Sequence, residues 1–104
     1  MRVYISGKMT GLNRVEFKKR FFEAEKMLMQ YGYDVINPAI LSDFNLTYAE
    51  FMLIDTTLLT MCDAIYMLNN WRDSNGAKEE LALAEAKGLK IMYEVEACQR
   101  IKNT

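Results

Sequence analysis

The stretch DSNGAKEE, Asp73–Glu80, follows the apolar run 64–68 and decides how the rest of the chain is interpreted. A buried strand, a short polar loop and the first turn of a helix are what this order of residues predicts. Such a loop presents backbone N–H groups to an anion. We expect the carboxylate of Glu80 to lie near the positive end of the helix, where its ionised form is favoured. This turn is therefore a candidate site for a nucleophilic glutamate.

Length, composition and charge limit the classes of protein that the chain can belong to. Its 104 residues are enough for one domain, spanning 1–104, and 51% of them are apolar, which is typical of a globular protein. The net charge of −1 argues against binding of a nucleic-acid polymer. No apolar run approaches the ~20 residues of a membrane span, and the N-terminus lacks a signal-peptide pattern. We expect a cytoplasmic protein without membrane partners.

The reactive side chains are restricted because the sequence contains no histidine. Acid–base or covalent chemistry must therefore use carboxylates, Tyr, Lys or Cys. Cys62 and Cys98 cannot form a disulfide framework, and they lack the partners that a zinc site needs. We expect both to be inert thiols and expect no metal site.

Strand and helix patterns alternate along the chain. The predicted strands are 3–6, 33–36, 64–68 and 89–93. Two predicted helices begin after Asn13 and after Thr47, and Thr47 and Glu50 predict a capping box at the start of the second. Two more cover 76–87 and 94–102, and an irregular loop is predicted over 39–46. The order β-α-β-α-β-α-β-α predicts an α/β protein with a single-domain three-layer α/β/α sandwich. Its parallel sheet has four to five strands in a flavodoxin- or Rossmann-like arrangement.

In such sheets ligands bind beyond the carboxyl ends of the strands, where the strand order reverses. In a flavodoxin-like order this point lies between the first and third strands. The polar, glycine-containing loops after those strands are 7–11 and 69–75. The topology and the local chemistry therefore indicate the same ligand site. The loop 7–11 is neither a Walker P-loop nor a GxGxxG fingerprint.

The second helix contains a carboxylate whose role the sequence leaves open. Phe51, Ile54, Leu58 and Met61 recur at helical spacing and predict the buried stripe of this helix. Asp55 shares a face of this helix with the apolar residues Met52 and Leu59, at spacings of three and four residues. It is therefore either an exposed residue at the edge of the helix or a general acid or substrate-orienting group.

Three further residues have two interpretations each. Trp71, in a polar loop, is a stacking surface for a base or a partly exposed anchor. Ser74 is a helix cap or a ligand-binding hydroxyl. Tyr4 belongs to the core or to the site.

Glu80 differs from other helix glutamates because small residues lie one turn away on nearly the same side, at Ala77 and Ala84.

Three segments together carry a family resemblance. They are the opening VYISGKMTG of 3–11, the segment IDTTLL of 54–59 followed by Cys62-Asp63-Ala64, and the pattern Ser74-x-Gly76-x-x-x-Glu80. In these segments the chain resembles the nucleoside 2-deoxyribosyltransferase superfamily. The resemblance is closest to its short 2'-deoxynucleoside 5'-phosphate N-hydrolase branch and to a related family of small phage and bacterial proteins. It covers most of the chain.

The resemblance implies a role for each matching residue. Glu80 would be the nucleophile that attacks the anomeric carbon, and Tyr4 would orient it. Asp55 would protonate the departing base or hold the sugar hydroxyls. Together with the two polar loops, it predicts the substrate-binding residues Gly7, Lys8, Met9, Thr10, Gly11, Trp71, Asp73, Ser74, Gly76 and Ala77. Among them Ser74 would bind a phosphate, and Lys8 departs from the small or apolar residue of several relatives.

The resemblance also implies a reaction and partners. The reaction is cleavage or exchange of the N-glycosidic bond of a (deoxy)nucleoside or nucleoside 5'-monophosphate, without a metal or organic cofactor. Water as acceptor gives a hydrolase, and a second base gives a transferase. The expected assembly is a homodimer or larger homo-oligomer. The resemblance to small phage proteins also allows a phage-encoded protein that acts in the host cytoplasm. Two alternatives stay open: a binding protein that sequesters or senses a nucleotide, and a structural domain on a nucleotide-binding fold.

Overall fold

The computed structural model describes residues 1–95, and strands and helices alternate along them. The strands are β1 (Arg2–Ser6), β2 (Asp34–Ile36), β3 (Ala64–Met67) and β4 (Lys90–Tyr93). The α-helices are α1 (Arg14–Gln30), α2 (Tyr48–Thr60) and α3 (Asn75–Ala86). Short 3-10 helices cover Pro38–Asp43 and Trp71–Asp73. None of the helices within 1–95 is long and apolar enough to cross a membrane.

The four strands form one parallel sheet in the order β2-β1-β3-β4. Helices flank the sheet, which confirms the three-layer α/β/α fold that the alternating pattern predicts. The strand order reverses between β1 and β3, and these strands pair in register from Val3 with Ala64 to Ser6 with Met67. The carboxyl ends of β1 and β3 therefore lie side by side, and the loops that follow them are neighbours.

Successive side chains of β1 point to opposite faces of the sheet, as the geometry of a strand requires. Val3 and Ile5 belong to a core cluster with α1, in which Phe21 is fully buried. Tyr4 belongs to a second cluster, which includes Leu59 of α2 and residues of α3. Ser6, the last residue of β1, points to the same face as Tyr4, which is covered by α2 and α3.

Side chains cap each of the three α-helices at the N-terminus. Asn13 accepts a hydrogen bond from the backbone N–H of Val15 at the start of α1. The capping box predicted at α2 is confirmed, since Thr47 and Glu50 each accept a bond from the other's backbone N–H, at 3.1 and 2.8 Å. Ser74 caps α3 by accepting from the N–H of Ala77.

Three expectations about elements need correction or fall outside the structure. The segment expected to be an irregular loop forms the 3-10 helix Pro38–Asp43, because the Asn37 side chain caps it and proline occupies its first position. The buried face of α2 centres on Asp55 and Leu59, while Met61 is 52% exposed. This face is rotated from the predicted stripe because α2 packs against α3. The helix expected over 94–102 lies, from residue 96 onward, outside the described residues.

Candidate active site

A cavity of about 960 Å³ opens beside the carboxyl end of β1. Its walls are formed by the loop after β1, the start of α1, the 3-10 helix Pro38–Asp43, the first half of α2 and the first turns of α3. The structure brings ten of the predicted site residues to its lining: Gly7, Lys8, Met9, Thr10, Asp55, Asp73, Ser74, Gly76, Ala77 and Glu80. The site therefore lies at the switch point that the topology predicts.

The carboxylate of Glu80 is held by two hydroxyl groups from the same strand. Tyr4 Oη donates to Oε2 at 2.6 Å, and Ser6 Oγ donates to Oε1 at 2.6 Å. The bond from Tyr4 is the contact that the family resemblance implies. Glu80 is 6% exposed, so its remaining accessible surface faces the cavity that it lines. Both oxygens thus have a donor, and the orientation of the carboxylate is fixed by β1.

Burial dominates the electrostatics of Glu80. Desolvation raises the pKa of Glu80 to about 7, although the hydrogen bonds from Ser6 and Tyr4 act in the opposite direction. The nearby carboxylates Asp55 and Glu79 raise it further. The expectation that the helix end favours the ionised form is therefore wrong in its net effect. Glu80 lies in the second turn of α3, where the influence of the helix dipole fades while desolvation remains.

The donor Tyr4 is itself kept neutral. Its pKa is raised well above its usual value, first by burial and then by the negative charges of Glu80 and Asp55. A phenol that cannot ionise stays a hydrogen-bond donor to the carboxylate over the whole range of physiological pH. Tyr4 is thus part of the core and part of the site.

Asp55 is buried, so the interpretation as an exposed residue at the edge of α2 is wrong. It is 9% exposed, and within residues 1–95 its Oδ1 atom has no hydrogen-bond partner. Desolvation raises the pKa of Asp55 to about 6. Buried polar atoms are normally paired, so an unpaired oxygen on a cavity wall is an acceptor available to a ligand.

The hydroxyls of Ser74 and Tyr48 lie on the rim of the cavity, near Gly76. A Cβ atom on Gly76 would lie 3.9 Å from Ser74 Oγ, 3.4 Å from Tyr48 Oη and 3.3 Å from the sulfur of Met52. The absence of a side chain at this position therefore leaves space between α2 and the first turn of α3. Ser74 uses a lone pair as the cap of α3, so its own hydrogen is free to donate.

Two predicted substrate-binding residues do not line the cavity. The ring of Trp71 packs beside the second core cluster, 6.1 Å from the ring of Tyr93, because the 3-10 turn Trp71–Asp73 directs it away from the cavity. Gly11 is exposed and adopts a φ of +83°, which only glycine adopts easily, so its place is in the turn between the lining residues Thr10 and Leu12. Gly7 does line the cavity, and a Cβ there would meet Leu68 at 2.7 Å.

Sequence reasoning missed several residues of this site. Ser6 could have been identified from the sequence, because it lies two residues after Tyr4 and therefore on the same face of β1. Tyr48 was assigned to a helix start, Phe51 to an apolar stripe and Met52 to the face of Asp55, and nothing in their spacing indicates a cavity wall. Within the described part of the chain, no group of three or more His, Cys, Asp or Glu residues could hold a metal ion.

Comparison with known proteins places the chain in a family. It belongs to the family described as "Domain of unknown function (DUF4406)", whose model matches residues 1–93. Among solved structures it is similar to the CMP N-glycosidase BcmB of Clostridium botulinum, with a TM-score of 0.64 and 22% sequence identity. The similarity covers 89% of this chain and 67% of the other, and it shows a shared fold. None of the curated proteins compared with the chain matches it.

Proposed function

We propose that this protein cleaves the N-glycosidic bond of a nucleoside 5'-monophosphate, with Glu80 as the nucleophile. The observation that carries the proposal is the buried Glu80 carboxylate on the cavity wall, oriented by two hydroxyl donors. The fold shared with a protein named as a CMP N-glycosidase supports the reaction class. Because a fold does not establish an activity, the argument depends on the residues of the site.

The chemistry of such a cleavage suits a carboxylate. The transition state is cationic and oxocarbenium-like, and a nearby carboxylate stabilises it. An ionised oxygen of Glu80 forms a bond to the anomeric carbon while the bond from that carbon to the base nitrogen breaks. The base leaves with the electron pair and takes up a proton from water. Water then hydrolyses the glycosyl-enzyme ester and restores Glu80, or a second base accepts the sugar.

The free oxygen of Asp55 suits a contact with the sugar. With a pKa of about 6, Asp55 is mostly ionised above pH 7. An ionised carboxylate accepts hydrogen bonds and donates none. We therefore assign Oδ1 of Asp55 to a sugar hydroxyl, which would satisfy the acceptor that has no partner within residues 1–95. This assignment selects between the two roles that the family resemblance implies.

The rim of the cavity suits a phosphate. Ser74 and Tyr48 offer hydroxyl donors near the same point, and the N-terminus of α3 offers backbone N–H groups. Lys8 lines the cavity and forms no ion pair with any residue of 1–95. These groups supply donors and positive charge, which a 5'-phosphate needs and an uncharged nucleoside does not.

The proposal is tested by chromatographic detection of free base. Wild type is incubated with matched ribo- and deoxyribonucleosides and their 5'-monophosphates, beside Glu80→Gln and the control Glu85→Gln. Glu85 is an exposed glutamate of α3 outside the cavity lining. We expect base release by wild type and by Glu85→Gln, and a loss of at least about 1,000-fold in Glu80→Gln, because the amide is not a nucleophile.

Each outcome of this experiment is informative. Full activity in Glu80→Gln contradicts the assignment of the nucleophile. Stabilisation by a monophosphate without any release of base, seen as a higher melting temperature, would favour the nucleotide-binding alternative. A melting temperature that no nucleotide changes would favour the structural alternative.

A further inference from the structure

The site contains a donor that neither the family resemblance nor the comparisons assign. Ser6 is 1% exposed, and its hydroxyl donates to Oε1 of Glu80 at 2.6 Å. Tyr4, on the same face of the same strand, donates a hydrogen bond to the other oxygen, Oε2. The carboxylate is thus bracketed by two hydroxyls that are one strand repeat apart.

The position of Ser6 is set by the sheet. Ser6 pairs with Met67 at the end of the ladder between β1 and β3, and its carbonyl accepts a bond from the N–H of Leu68 at 2.8 Å. A side chain on a strand that is paired in this way has little freedom to move. The backbone of Ser6 is held by this pairing and its side chain is buried, so the fold maintains the distance between its hydroxyl and Glu80.

The other charged or titratable groups around Glu80 do not stabilise its ionised form. Asp55 on α2 and Glu79 on α3 oppose its ionisation, and Tyr48 on α2 lies within electrostatic range as a neutral phenol. Within residues 1–95 no lysine or arginine forms an ion pair with Glu80. Among the groups of residues 1–95, the hydroxyls of Ser6 and Tyr4 are the ones that favour the charged form, with Ser6 having the larger effect.

The geometry points to Ser6 as a positioning residue that aims the Glu80 carboxylate at the cavity and favours its ionised form. The hydrogen bond that Ser6 donates to Oε1 is stronger when Glu80 is a charged carboxylate than when it is a neutral acid, so it favours the ionised form. Removing the hydroxyl leaves Oε1 a buried acceptor without a partner and so favours the protonated, non-nucleophilic acid. The consequence for catalysis rests on the proposed function, whereas the effect on ionisation does not.

Titration of Glu80 in the full chain tests the inference without any substrate. The side-chain carboxyl carbon is followed by NMR in protein labelled at the glutamate carboxyl carbons, and the signal absent from Glu80→Gln identifies the residue. We expect Ser6→Ala to raise the pKa of Glu80 by about one pH unit, the size expected for a hydrogen bond to a charged group. Ser6→Cys, nearly equal in volume and a weaker donor, should raise it less.

The control separates the hydrogen bond from a general loosening of β1. Ile5→Val alters the neighbouring residue on the opposite face of the strand and should leave the titration of Glu80 unchanged. An unchanged pKa in Ser6→Ala overturns the inference, and if that variant does not fold, an unchanged pKa in Ser6→Cys does so. An equal rise in Ile5→Val also overturns it.

Activity measurements distinguish this inference from the proposed function. If wild type releases base, the acid limb of kcat/KM should move to higher pH in Ser6→Ala by the same amount as the titration of Glu80, with activity recovered at high pH. If no substrate is cleaved, the proposed function fails, and the titration still decides the role of Ser6.

Discussion

The two faces of the sheet are made from the same strands but have different chemistry. On the face covered by α1, the buried cluster that includes Val3, Ile5 and Phe21 consists of apolar and aromatic side chains. On the face covered by α2 and α3, Tyr4 and Ser6 meet the carboxylate of Glu80. Neighbouring residues of one strand thus serve the core and the site in alternation. Packing of Val3 and Ile5 against α1 holds β1 in place, and β1 orients the carboxylate of Glu80.

Truncation of the apolar face should have the largest effect on stability. Phe21 is fully buried in the α1 cluster, whereas its neighbour Phe22 is 54% exposed. We expect Phe21→Ala to lower the free energy of unfolding by about 3–5 kcal/mol, from lost burial and the cavity left behind. Urea denaturation measures this loss, and Phe22→Ala is the matched control with a change below about 1 kcal/mol. Similar losses in both variants would contradict the assignment of the core face.

On the face covered by α2 and α3, the buried Asp55 should instead lower the stability of the folded protein at neutral pH. Burial raises the pKa of Asp55 to about 6, above the ~3.9 expected in the unfolded chain. Between these two values the folded protein binds more protons, so the contribution of Asp55 to stability falls as pH rises from about 4 to about 6. We expect Asp55→Asn to raise the free energy of unfolding at pH 7.5 by about 1–2 kcal/mol, and by less at pH 4.

Urea denaturation at several pH values checks this expectation, with Asp43→Asn as a control of opposite sign. The hydrogen bond from Lys18 lowers the pKa of the exposed Asp43, so its stabilising contribution is present at neutral pH and is lost on acidification. A gain from Asp55→Asn that is the same at pH 4 and pH 7.5 would show that the ionisation of Asp55 is not its cause.

The smallest effect is expected at the mouth of the polar face. Tyr48 is 53% exposed, so Tyr48→Phe should leave stability unchanged and remove only the hydroxyl near Ser74. We expect KM for a 5'-monophosphate to rise about five- to tenfold, and KM for the matching nucleoside to stay constant. Tyr31→Phe, which removes the hydroxyl of a tyrosine outside the cavity lining, is the control. Equal increases for nucleoside and monophosphate would place the Tyr48 hydroxyl on the sugar instead of the phosphate.

Local pattern was sufficient for most of the secondary structure. The capping box at Thr47 and Glu50 forms as expected, because its two hydrogen bonds join residues three apart in the chain. The run from Ala64 to Met67 is buried throughout, as a continuous apolar strand between two helical layers should be. The segment 39–46 was misjudged because its 3-10 helix depends on the Asn37 cap and on proline, and not on apolar periodicity.

The candidate site could be located from the sequence but not completed from it. The loops after β1 and β3 and the start of α3 were predicted to meet, and the cavity is lined by residues from these elements. Trp71 was assigned to the same site because it lies in one of those loops, yet a 3-10 turn places its ring against the core. The sequence indicates which loop a residue belongs to, but the direction of its side chain depends on the geometry of the turn.

The sequence by itself determined the fold class, because the alternation of strands and helices and the apolar periodicity act over short distances along the chain. It also placed a glutamate and polar loops at the point where the strand order reverses. Only the tertiary structure decided the burial of Asp55, the raised pKa of Glu80 and the pairing of Glu80 with Ser6. These properties arise from groups distant in the chain that exclude water together, and desolvation depends on the packed neighbours rather than on local sequence.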